Sequence, residues 1–246
     1  MLFRSLDIET APITAYTWGL WNKNIPIKAI IDSGSVLCWS AKWLGDDNLL
    51  FSSIMNPGKK KMLKQIHKLL DETDVVVHYN GTRFDIPTLN KEFIEAGMPP
   101  PSPFKEVDLL KTSRRRFRFP SNKLDYVAKA LGLKGKHEHE GFNLWIKCMN
   151  KDKEAWKEME KYNREDVLVL ESVYYKFLPW IKSHPNIGIA ENRPSICPAC
   201  GNGHLTRRGF NLTQAGKYQR YQCQSCGTWS SDRNTQPLTK GILKGL

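Results

Sequence analysis

Two carboxylates that are two residues apart, Asp7 and Glu9, lie in an apolar segment near the start of the chain. The segment predicts a β-strand, on which alternate side chains share a face, so both carboxylates would point the same way. Leu2, Leu6 and Ile8 would then point to the opposite, buried face. Two such carboxylates repel each other and lose hydration unless a cation lies between them, and oxygen ligands of this kind suit Mg²⁺ or Mn²⁺. The pair therefore predicts either a solvated strand end or part of a metal site.

Composition narrows the class of protein. The 246 residues are 40% hydrophobic and 25% charged, which is typical of a folded domain and not of a disordered chain. The formal net charge of +12 favours a polyanionic partner, most often nucleic acid and more rarely an anionic membrane. No apolar run approaches the ~18 residues of a membrane span, and no signal peptide opens the chain. We therefore expect a soluble, cytoplasmic protein without membrane association.

The order of predicted elements indicates an α/β protein. Runs of β-branched and aromatic residues separated by turn residues predict strands, and apolar residues at three- and four-residue spacing predict helices. Strands followed by strand–helix alternation are typical of a mixed sheet flanked by helices. The predicted strands are 2–8, 27–32, 36–43, 49–54, 74–79 and 107–109, with the second to fourth continuing antiparallel from the first. The predicted helices are 59–70, 86–96, 121–131 and 153–182.

Further acidic residues lie near the start of one predicted helix and on the apolar stripe of another. Asp85 follows the strand predicted at 74–79 and lies near the start of the next helix. Tyr162 and Asp166 are one turn apart on the last helix, where Asp166 interrupts an otherwise apolar stripe. A carboxylate on a buried stripe needs a partner. Taken singly, Asp85 is also explained as a helix-start carboxylate, which is common, and Tyr162 is better explained as a core tyrosine.

Together, the segments around Asp7, Asp85 and Asp166 resemble the three ordered motifs of the DEDD 3′–5′ exonucleases (DnaQ-like), which have a ribonuclease H-like fold. The Tyr-x-x-x-Asp form is similar to the tyrosine subgroup, which includes proofreading domains of DNA polymerases. The histidine subgroup would need a histidine where Lys161 stands. The resemblance covers roughly residues 1–182 and implies a ribonuclease H-like mixed sheet flanked by helices.

The resemblance implies phosphodiester hydrolysis with two Mg²⁺ or Mn²⁺ ions. Asp7 would bridge both ions, and Glu9 and Asp166 would complete the site that activates water. Asp85 would hold the second ion. Tyr162 would orient the attacking water through its hydroxyl group.

The resemblance also implies contacts to nucleic acid. They would come from the backbone near Thr10, from Asn80, and from Phe84 packed against a base. Elsewhere, arginines that alternate with phenylalanines offer phosphate binding and base stacking, or they form a solvated charge run whose phenylalanines enter the core. This run contains Arg114, Arg115, Arg116 and Arg118, with Phe117 and Phe119.

Four of the six cysteines form two Cys-x-x-Cys pairs, whereas Cys38 and Cys148 are predicted to be buried thiols. In a reducing compartment, this spacing indicates a metal and not disulfides. Four thiolates suit one tetrahedral, structural Zn²⁺, and a glycine after each second cysteine permits the turn that brings backbone to the sulfurs. The module resembles the zinc ribbons of DNA-processing enzymes such as transposases. Its predicted ligands are Cys197, Cys200, Cys223 and Cys226.

These patterns predict a ribonuclease H-like exonuclease domain at 1–185, a linker at 186–194, a zinc ribbon at 195–232 and a mobile tail at 233–246. From Ser195 onward, seven Lys or Arg residues accompany a single Asp. This balance favours DNA binding by the ribbon over the alternative, a module that docks on protein. The nucleic-acid contacts predicted in the ribbon are Arg207, Arg208 and Arg220.

The leading functional hypothesis is a metal-dependent 3′–5′ exonuclease that acts on single-stranded or frayed DNA. The alternatives are a nuclease of the same fold that prefers RNA or cuts branched DNA internally, and a non-catalytic nucleic-acid-binding protein. The intact set of carboxylates argues against the last of these. By resemblance, a small exonuclease with a ribbon would suit phage replication, repair or recombination in the host cytoplasm, with replication or recombination proteins as partners.

Overall fold

A mixed five-stranded sheet lies at the centre of the first part of the chain. This computed structural model describes residues 2–21, 24–135, 140–214 and 216–243. Its strands are β1 (Phe3–Thr10), β2 (Thr14–Ala15), β3 (Ile30–Asp32), β4 (Val36–Trp43), β5 (Leu49–Ser53), β6 (Val75–His78), β7 (Lys105–Asp108), β8 (Leu205–Leu212), β9 (Lys217–Cys223) and β10 (Trp229–Ser231). Its α-helices are α1 (Lys59–Asp71), α2 (Asp85–Glu95), α3 (Leu109–Arg116), α4 (Leu124–Ala130), α5 (Phe142–Met149), α6 (Lys153–Phe177) and α7 (Ile187–Ala190), with 3₁₀ turns at Ile27–Ala29 and Leu178–Trp180.

Strand β1 has a neighbour on each side, in the order β5-β4-β1-β6-β7. It pairs antiparallel with β4 and parallel with β6. At the two edges of the sheet, β5 pairs antiparallel with β4, and β7 pairs parallel with β6. The predicted mixed sheet with flanking helices is therefore confirmed, and the strand that carries Asp7 and Glu9 is central.

Two hydrophobic cores hold the helices against the sheet. The first joins Leu6 and Ile8 of β1 to residues of α1 and α2 that include Met62 and Leu89. The second joins β4 to α5 and α6 and contains both buried thiols, as predicted for Cys38 and Cys148. The predicted apolar stripe of α6 is buried along its length, and so is the carboxylate that interrupts it. Leu2 is an exception to the predicted alternation, because it precedes β1 and about half of it is exposed.

The segment predicted as a strand at 27–32 forms a different structure. Only Ile30–Asp32 is extended, and it pairs with Thr14–Ala15 in a separate two-stranded sheet. A 3₁₀ turn over Ile27–Ala29 precedes it. None of these residues is buried, so no core contact draws the segment into the main sheet.

Three other boundaries differ from the prediction. The strand predicted at 107–109 ends at Asp108, because that side chain accepts hydrogen bonds from the N–H groups of Leu110 and Lys111 and starts α3. The helix predicted from Ser121 begins at Leu124 instead. Helix α6 ends at Phe177, five residues early, because Pro179 lies in the next turn and lacks a backbone N–H.

The backbone contacts divide the chain into two compact units, residues 2–173 and residues 174–246, so that the division falls in the last turn of α6. The second unit contains a three-stranded antiparallel sheet in the order β10-β9-β8. The predicted linker at 186–194 includes the short helix α7, which Asn186 caps. Residues 233–243 of the predicted mobile tail contain no helix or strand, and residues 244–246 lie outside the described chain. No helix in the described part of the chain has the length and apolar character to cross a membrane.

Candidate functional site

Three carboxylates from distant parts of the sequence come together beside β1. Asp7 and Glu9 are half-buried on one face of the strand, and Asp166 reaches them from the buried stripe of α6. A ligand atom from each residue lies within 4.8 Å of the others. Carboxylates this close repel one another in a partly dehydrated site, so the cluster favours a bound cation.

A β-bulge lies next to Glu9. Glu9 pairs with Cys38, but Thr10 pairs with Val36, so one residue of β4 is extra. A bulge re-aims side chains and is common beside active sites. Burial and the nearby carboxylates of Glu9 and Asp7 raise the pKa of the Cys38 thiol well above its usual value. This thiol is therefore uncharged where it lies beside the carboxylates.

Asn163 is a residue that the sequence reasoning missed. It is fully buried, and its Nδ2 group donates a hydrogen bond of 2.8 Å to Oδ2 of Asp7. This bond fixes the orientation of the Asp7 carboxylate within the cluster. The available signal was its place between Tyr162 and Asp166, where a buried amide needs a polar partner.

Asp85 joins the site through the backbone of β1. The parallel pairing of β1 with β6 ends at Ser5 and Val77. Beyond it, Oδ1 of Asp85 accepts a hydrogen bond of 3.2 Å from the Ile8 N–H. Burial raises the pKa of Asp85 to about 6, although His78 and the Ile8 N–H oppose the shift. Asp85 stands next to the tight cluster of three carboxylates and is not a member of it.

A buried histidine holds the turn that leads to Asp85. Nδ1 of His78 accepts a hydrogen bond of 3.0 Å from the Gly81 N–H, so the other ring nitrogen carries the proton. That nitrogen, Nε2, lies 2.8 Å from Oε2 of Glu106, which also accepts a hydrogen bond from Thr82. A Cβ atom at position 81 would lie 2.4 Å from Cγ of His78, so the turn requires glycine.

Tyr162 is buried on α6, one turn before Asp166. Burial, and then the charges of Asp166, Glu9 and Asp7, raise its pKa above the usual value. The hydroxyl therefore stays protonated and able to donate a hydrogen bond. The Tyr162 ring packs edge-to-face on Trp145, with centroids 5.9 Å apart, which fixes the ring in place.

The other predicted nucleic-acid contacts vary in exposure. Thr10 ends β1, and Phe84 is 44% exposed just before α2. Asn80 has a left-handed backbone (φ 72°), and its N–H donates a hydrogen bond to Oδ1 of Asp108. These contacts stabilise the turn after β6. The four predicted arginines are exposed, and the two phenylalanines between them are half-buried and contact each other; these residues are Arg114, Arg115, Arg116, Arg118, Phe117 and Phe119.

The second unit holds a cluster of four cysteine sulfurs within 4.8 Å of one another: Cys197, Cys200, Cys223 and Cys226. The sulfurs of Cys197 and Cys226 are 3.6 Å apart, and those of Cys200 and Cys223 are 3.7 Å apart. These distances exclude disulfides. They match the edge of roughly 3.8 Å expected for a tetrahedron with Zn–S bonds of ~2.3 Å.

Both Cys-x-x-Cys turns have the same backbone geometry. Burial raises the pKa of Cys197 to about 11, although the N–H groups two and three residues on point at its sulfur. In the other turn, burial is outweighed by the corresponding N–H groups of Cys226 and Ser225, and the pKa of Cys223 falls to about 7. Gly201 and Gly227 follow with left-handed backbones, φ 72° and 79°, as predicted. Such amide donors stabilise thiolate sulfurs, which metal ligation requires.

Exposed arginine side chains lie on two strands of the three-stranded sheet in the second unit. Arg207 and Arg208 of β8 and Arg220 of β9 are exposed, as a contact to nucleic acid would need. The Arg220 guanidinium lies 4.8 Å from the ring of Trp229, and its Nε donates to the Arg208 carbonyl oxygen. These two contacts fix the Arg220 side chain on the sheet surface.

Comparisons with known proteins are consistent with this geometry. The family model described as RNase_H superfamily matches residues 36–178. Among solved structures, the family B DNA polymerase from the hyperthermophilic archaeon Pyrobaculum calidifontis is similar, with a TM-score of 0.51 and 15% identity. The match covers 86% of this chain and 31% of the polymerase, so the chain spans less than a third of that protein, and at this identity the likeness concerns the fold alone. No curated protein sequence is similar enough to match.

Proposed function

Because the chain belongs to the RNase_H superfamily, we propose that it is a metal-dependent 3′–5′ exonuclease of the tyrosine-type DEDD kind, acting on single-stranded DNA in preference to RNA. One observation carries the proposal: carboxylates of Asp7, Glu9 and Asp166 lie within 4.8 Å of one another, with a buried tyrosine one turn before Asp166. The likeness in fold to a family B DNA polymerase supports it, because the tyrosine subgroup includes proofreading domains of polymerases.

The residues present fit Mg²⁺ or Mn²⁺, because every side chain of the cluster offers hard oxygen ligands. Asp7, Glu9 and Asp166 would hold the first ion, and Asp7 with Asp85 the second. Bound divalent cations would neutralise the negative charge that develops on the attacking and leaving oxygens during hydrolysis of the phosphodiester.

The protein's own groups would position the reaction. Asn163 holds the Asp7 carboxylate by a hydrogen bond of 2.8 Å, so the ligand does not need to reorient. The Ile8 N–H holds Asp85 in the same way. The protonated hydroxyl of Tyr162 would orient the attacking water, and the packing of its ring on Trp145 fixes where that hydroxyl points.

We also propose that residues 195–232 form a zinc ribbon, separated from an exonuclease domain at 1–185 by the segment 186–194. The tetrahedral sulfur spacing supports one structural Zn²⁺. The exposed arginines of its sheet, on a chain with net charge +12, support contacts to the substrate strand and not to a protein surface. Activity on nucleic-acid ends would suit partners in replication or recombination.

The decisive experiment is degradation of 5′-labelled DNA, RNA and duplex of one sequence with Mg²⁺ or Mn²⁺. We expect a ladder that shortens from the 3′ end of single-stranded DNA, and no shortening when that end carries a phosphate. Asp7→Ala should abolish turnover while most of the binding remains, because the basic surface supplies it. The matched control is Asp47→Ala, an exposed carboxylate outside the cluster, which should cleave normally.

Two results would contradict the proposal. Substantial cleavage by purified Asp7→Ala protein would exclude the assigned metal site. Nicking of closed circular DNA at a rate comparable to end degradation would show internal cutting, and faster degradation of the RNA strand would reverse the assigned substrate preference.

A further inference from the structure

The loop between β1 and β4 exposes a large apolar surface. Its side chains include Tyr16, Trp18 and Trp21, which are 78%, 105% and 82% exposed. Leu20 and Ile27 lie in the same loop and are exposed to a similar degree. Several large, exposed apolar side chains in one loop of a folded protein indicate an interaction site. The carboxylate site described above makes no use of it.

The base of this loop is joined to the candidate active site. Thr10, which follows Glu9, pairs with Val36, and the Ala11 N–H donates to the Ser35 carbonyl oxygen at 2.8 Å. Further out, the short strands β2 and β3 pair, and the Tyr16 N–H donates to the Ala29 carbonyl oxygen at 2.9 Å. The aromatic side chains therefore stand on a hydrogen-bonded hairpin that continues directly from the strand carrying the carboxylates.

A close backbone approach and two side-chain hydrogen bonds define the base of the hairpin. Gly34 has φ 76°, and a Cβ atom there would lie 2.5 Å from the Ala11 carbonyl oxygen, so the close approach requires glycine. Nζ of Lys91, on the helix that begins with Asp85, donates to the Gly34 carbonyl oxygen at 3.1 Å and to Oγ of Ser33 at 3.2 Å. The base of the hairpin is thus hydrogen-bonded to the helix that begins with Asp85.

The charge of the hairpin indicates what it binds. In the described part of the hairpin, the single lysine is Lys28, and the single carboxylate is that of Asp32 at the end of β3, whose Oδ1 accepts a hydrogen bond from the Gly34 N–H at the base. Aromatic rings beside a lysine, with the one carboxylate held at the base, offer every base a face to stack on and do not repel a phosphate backbone. Lysine is, by contrast, depleted in protein–protein interfaces.

We infer that the described hairpin residues, 13–21 and 24–32, form a stacking platform for unpaired bases of the substrate strand, outside the nucleotide whose bond is cleaved. This inference rests on the proposed nuclease function and assigns where the rest of the strand lies. Stacking does not read the base, so single-stranded DNA and RNA would both bind. A fully paired duplex hides the faces of its bases and would gain nothing from the platform.

The test compares full-length protein with the double variant Trp18→Ala/Trp21→Ala, both in the Asp7→Ala background so that the strand stays intact. Binding is measured with single-stranded DNA and RNA of about 16 nucleotides and with a duplex. We expect the Kd for both single strands to rise roughly 5- to 150-fold, the equivalent of ~1–3 kcal/mol of stacking on one base. The Kd for the duplex should not change. Trp18→Phe/Trp21→Phe should restore most of the affinity, because it keeps the rings.

Controls separate the platform from the catalytic site. Trp180→Ala removes a half-exposed tryptophan outside the hairpin and should leave all three affinities unchanged. With Asp7 intact, the p-nitrophenyl ester of thymidine 5′-phosphate, which has no neighbouring base, should be hydrolysed equally by the wild-type and hairpin variants. If the wild-type protein hydrolyses no substrate but the hairpin variant still loses affinity, the exonuclease proposal fails and the platform stands.

Two outcomes would overturn the inference. One is an unchanged Kd for single strands in a double variant whose circular dichroism matches the wild type. The other is a wild-type dimer in sedimentation velocity that the double variant converts to monomer without loss of affinity for single strands, which would assign the hairpin to a second copy of this chain.

Discussion

The two clusters of potential metal ligands in this chain are assembled in opposite ways. The carboxylate cluster joins Asp7 and Glu9 of the first strand to Asp166 of α6, at the other end of the first unit. The cysteine cluster joins two Cys-x-x-Cys turns separated by 22 residues, and each turn has the same local backbone. The oxygen site is thus a product of tertiary packing, whereas the sulfur site is a product of two local turns.

The difference extends to what holds each unit together. Two hydrophobic cores pack the sheet and helices of the first unit. In the second unit, the described residues beyond Ile181 bury only three apolar side chains, Cys197, Ala199 and Cys223, and two of these are in the cysteine cluster. The first unit therefore has enough core to fold without a bound cation. The part of the second unit beyond Ile181 has too little core, and we expect its folding to depend on a metal.

The largest effect should follow from breaking the sulfur site. Chelation of zinc, or Cys223→Ser, should unfold residues 195–232, because apparent zinc binding energies of about 10–16 kcal/mol are folding energies in such modules. Zinc content and amide hydrogen exchange across the chain would measure this, with the loss of protection confined to the second unit. Chelation should leave protection of the first unit intact, although it also removes any divalent ion there.

Ser225→Ala, in the same turn but with an exposed side chain, is the matched control and should retain zinc. If Cys223→Ser kept full protection, the small sheet would be stable without metal, and the contrast between the two units would disappear. The same variant tests the ribbon as a binding surface. Each phosphate group that the unfolded ribbon no longer neutralises should lower the slope of log affinity against log salt by roughly 0.7–0.9.

The oxygen site should respond in activity and not in folding. Tyr162→Phe removes one hydroxyl and keeps the ring that packs on Trp145. We expect the single-turnover rate to fall about 10²-fold, the low end for a positioned proton-handling group, with an unchanged melting temperature. Tyr174→Phe, a second buried tyrosine of α6, is the control and should retain the rate. An unaltered rate in Tyr162→Phe would leave this residue a packing role only.

This contrast explains how much of each site could be predicted from the sequence. The four cysteines that cluster and the glycines after them form a local motif, so spacing was enough to predict which cysteines come together. Most of the strands and the longer helices also followed from the sequence, because runs of β-branched and aromatic residues predict strands and apolar residues at helical spacing predict helices, but the short helices α3 and α5 were not predicted. Asn163 was missed, since only tertiary packing brings its amide to Asp7. The separate hairpin of β2 and β3 was missed too, because a run of isoleucines predicts burial and these side chains are exposed.

The turn before Asp85 should respond in both stability and activity. Gly81→Ala places a Cβ atom 2.4 Å from Cγ of the buried His78 ring, and hydrogen bonds at both nitrogens hold the ring in place. We expect a loss of ~1–3 kcal/mol in the free energy of unfolding, typical of overpacking. Cleavage should weaken as well, because the displaced turn leads to Asp85.

Gly203→Ala in the second unit is the matched control for this change. A Cβ atom there meets nothing within 4 Å, and the backbone is not left-handed, so stability should be unaffected. Urea denaturation and single-turnover cleavage of both variants make the comparison. Equal stability of Gly81→Ala and wild type would mean that the turn relaxes easily and does not fix Asp85.

Acid gives the smallest and most selective test, because the two units contain different titrating groups. In the second unit, burial lowers the pKa of His184 below its ordinary 6.5, although the Pro185 carbonyl oxygen opposes the shift. In the first, hydrogen bonds from His78 and Thr82 lower the pKa of Glu106 below its ordinary 4.5 despite partial burial. In both cases the unfolded chain binds the proton first, so stability is present above the ordinary value and is lost as pH falls through the folded one.

The His184 contribution should therefore disappear at higher pH than the Glu106 contribution. We would measure melting temperatures of wild type, His184→Gln and Glu106→Gln in half-unit pH steps. The difference between wild type and His184→Gln should change as pH falls below the ordinary histidine pKa of 6.5, and that for Glu106→Gln only below the ordinary glutamate pKa of 4.5. Each change should be no larger than about 2–4 °C, the shift that 1 kcal/mol produces in a chain of this size. If both differences changed over the same interval, acid would act on the two units together, and their stabilities could not be treated as separate.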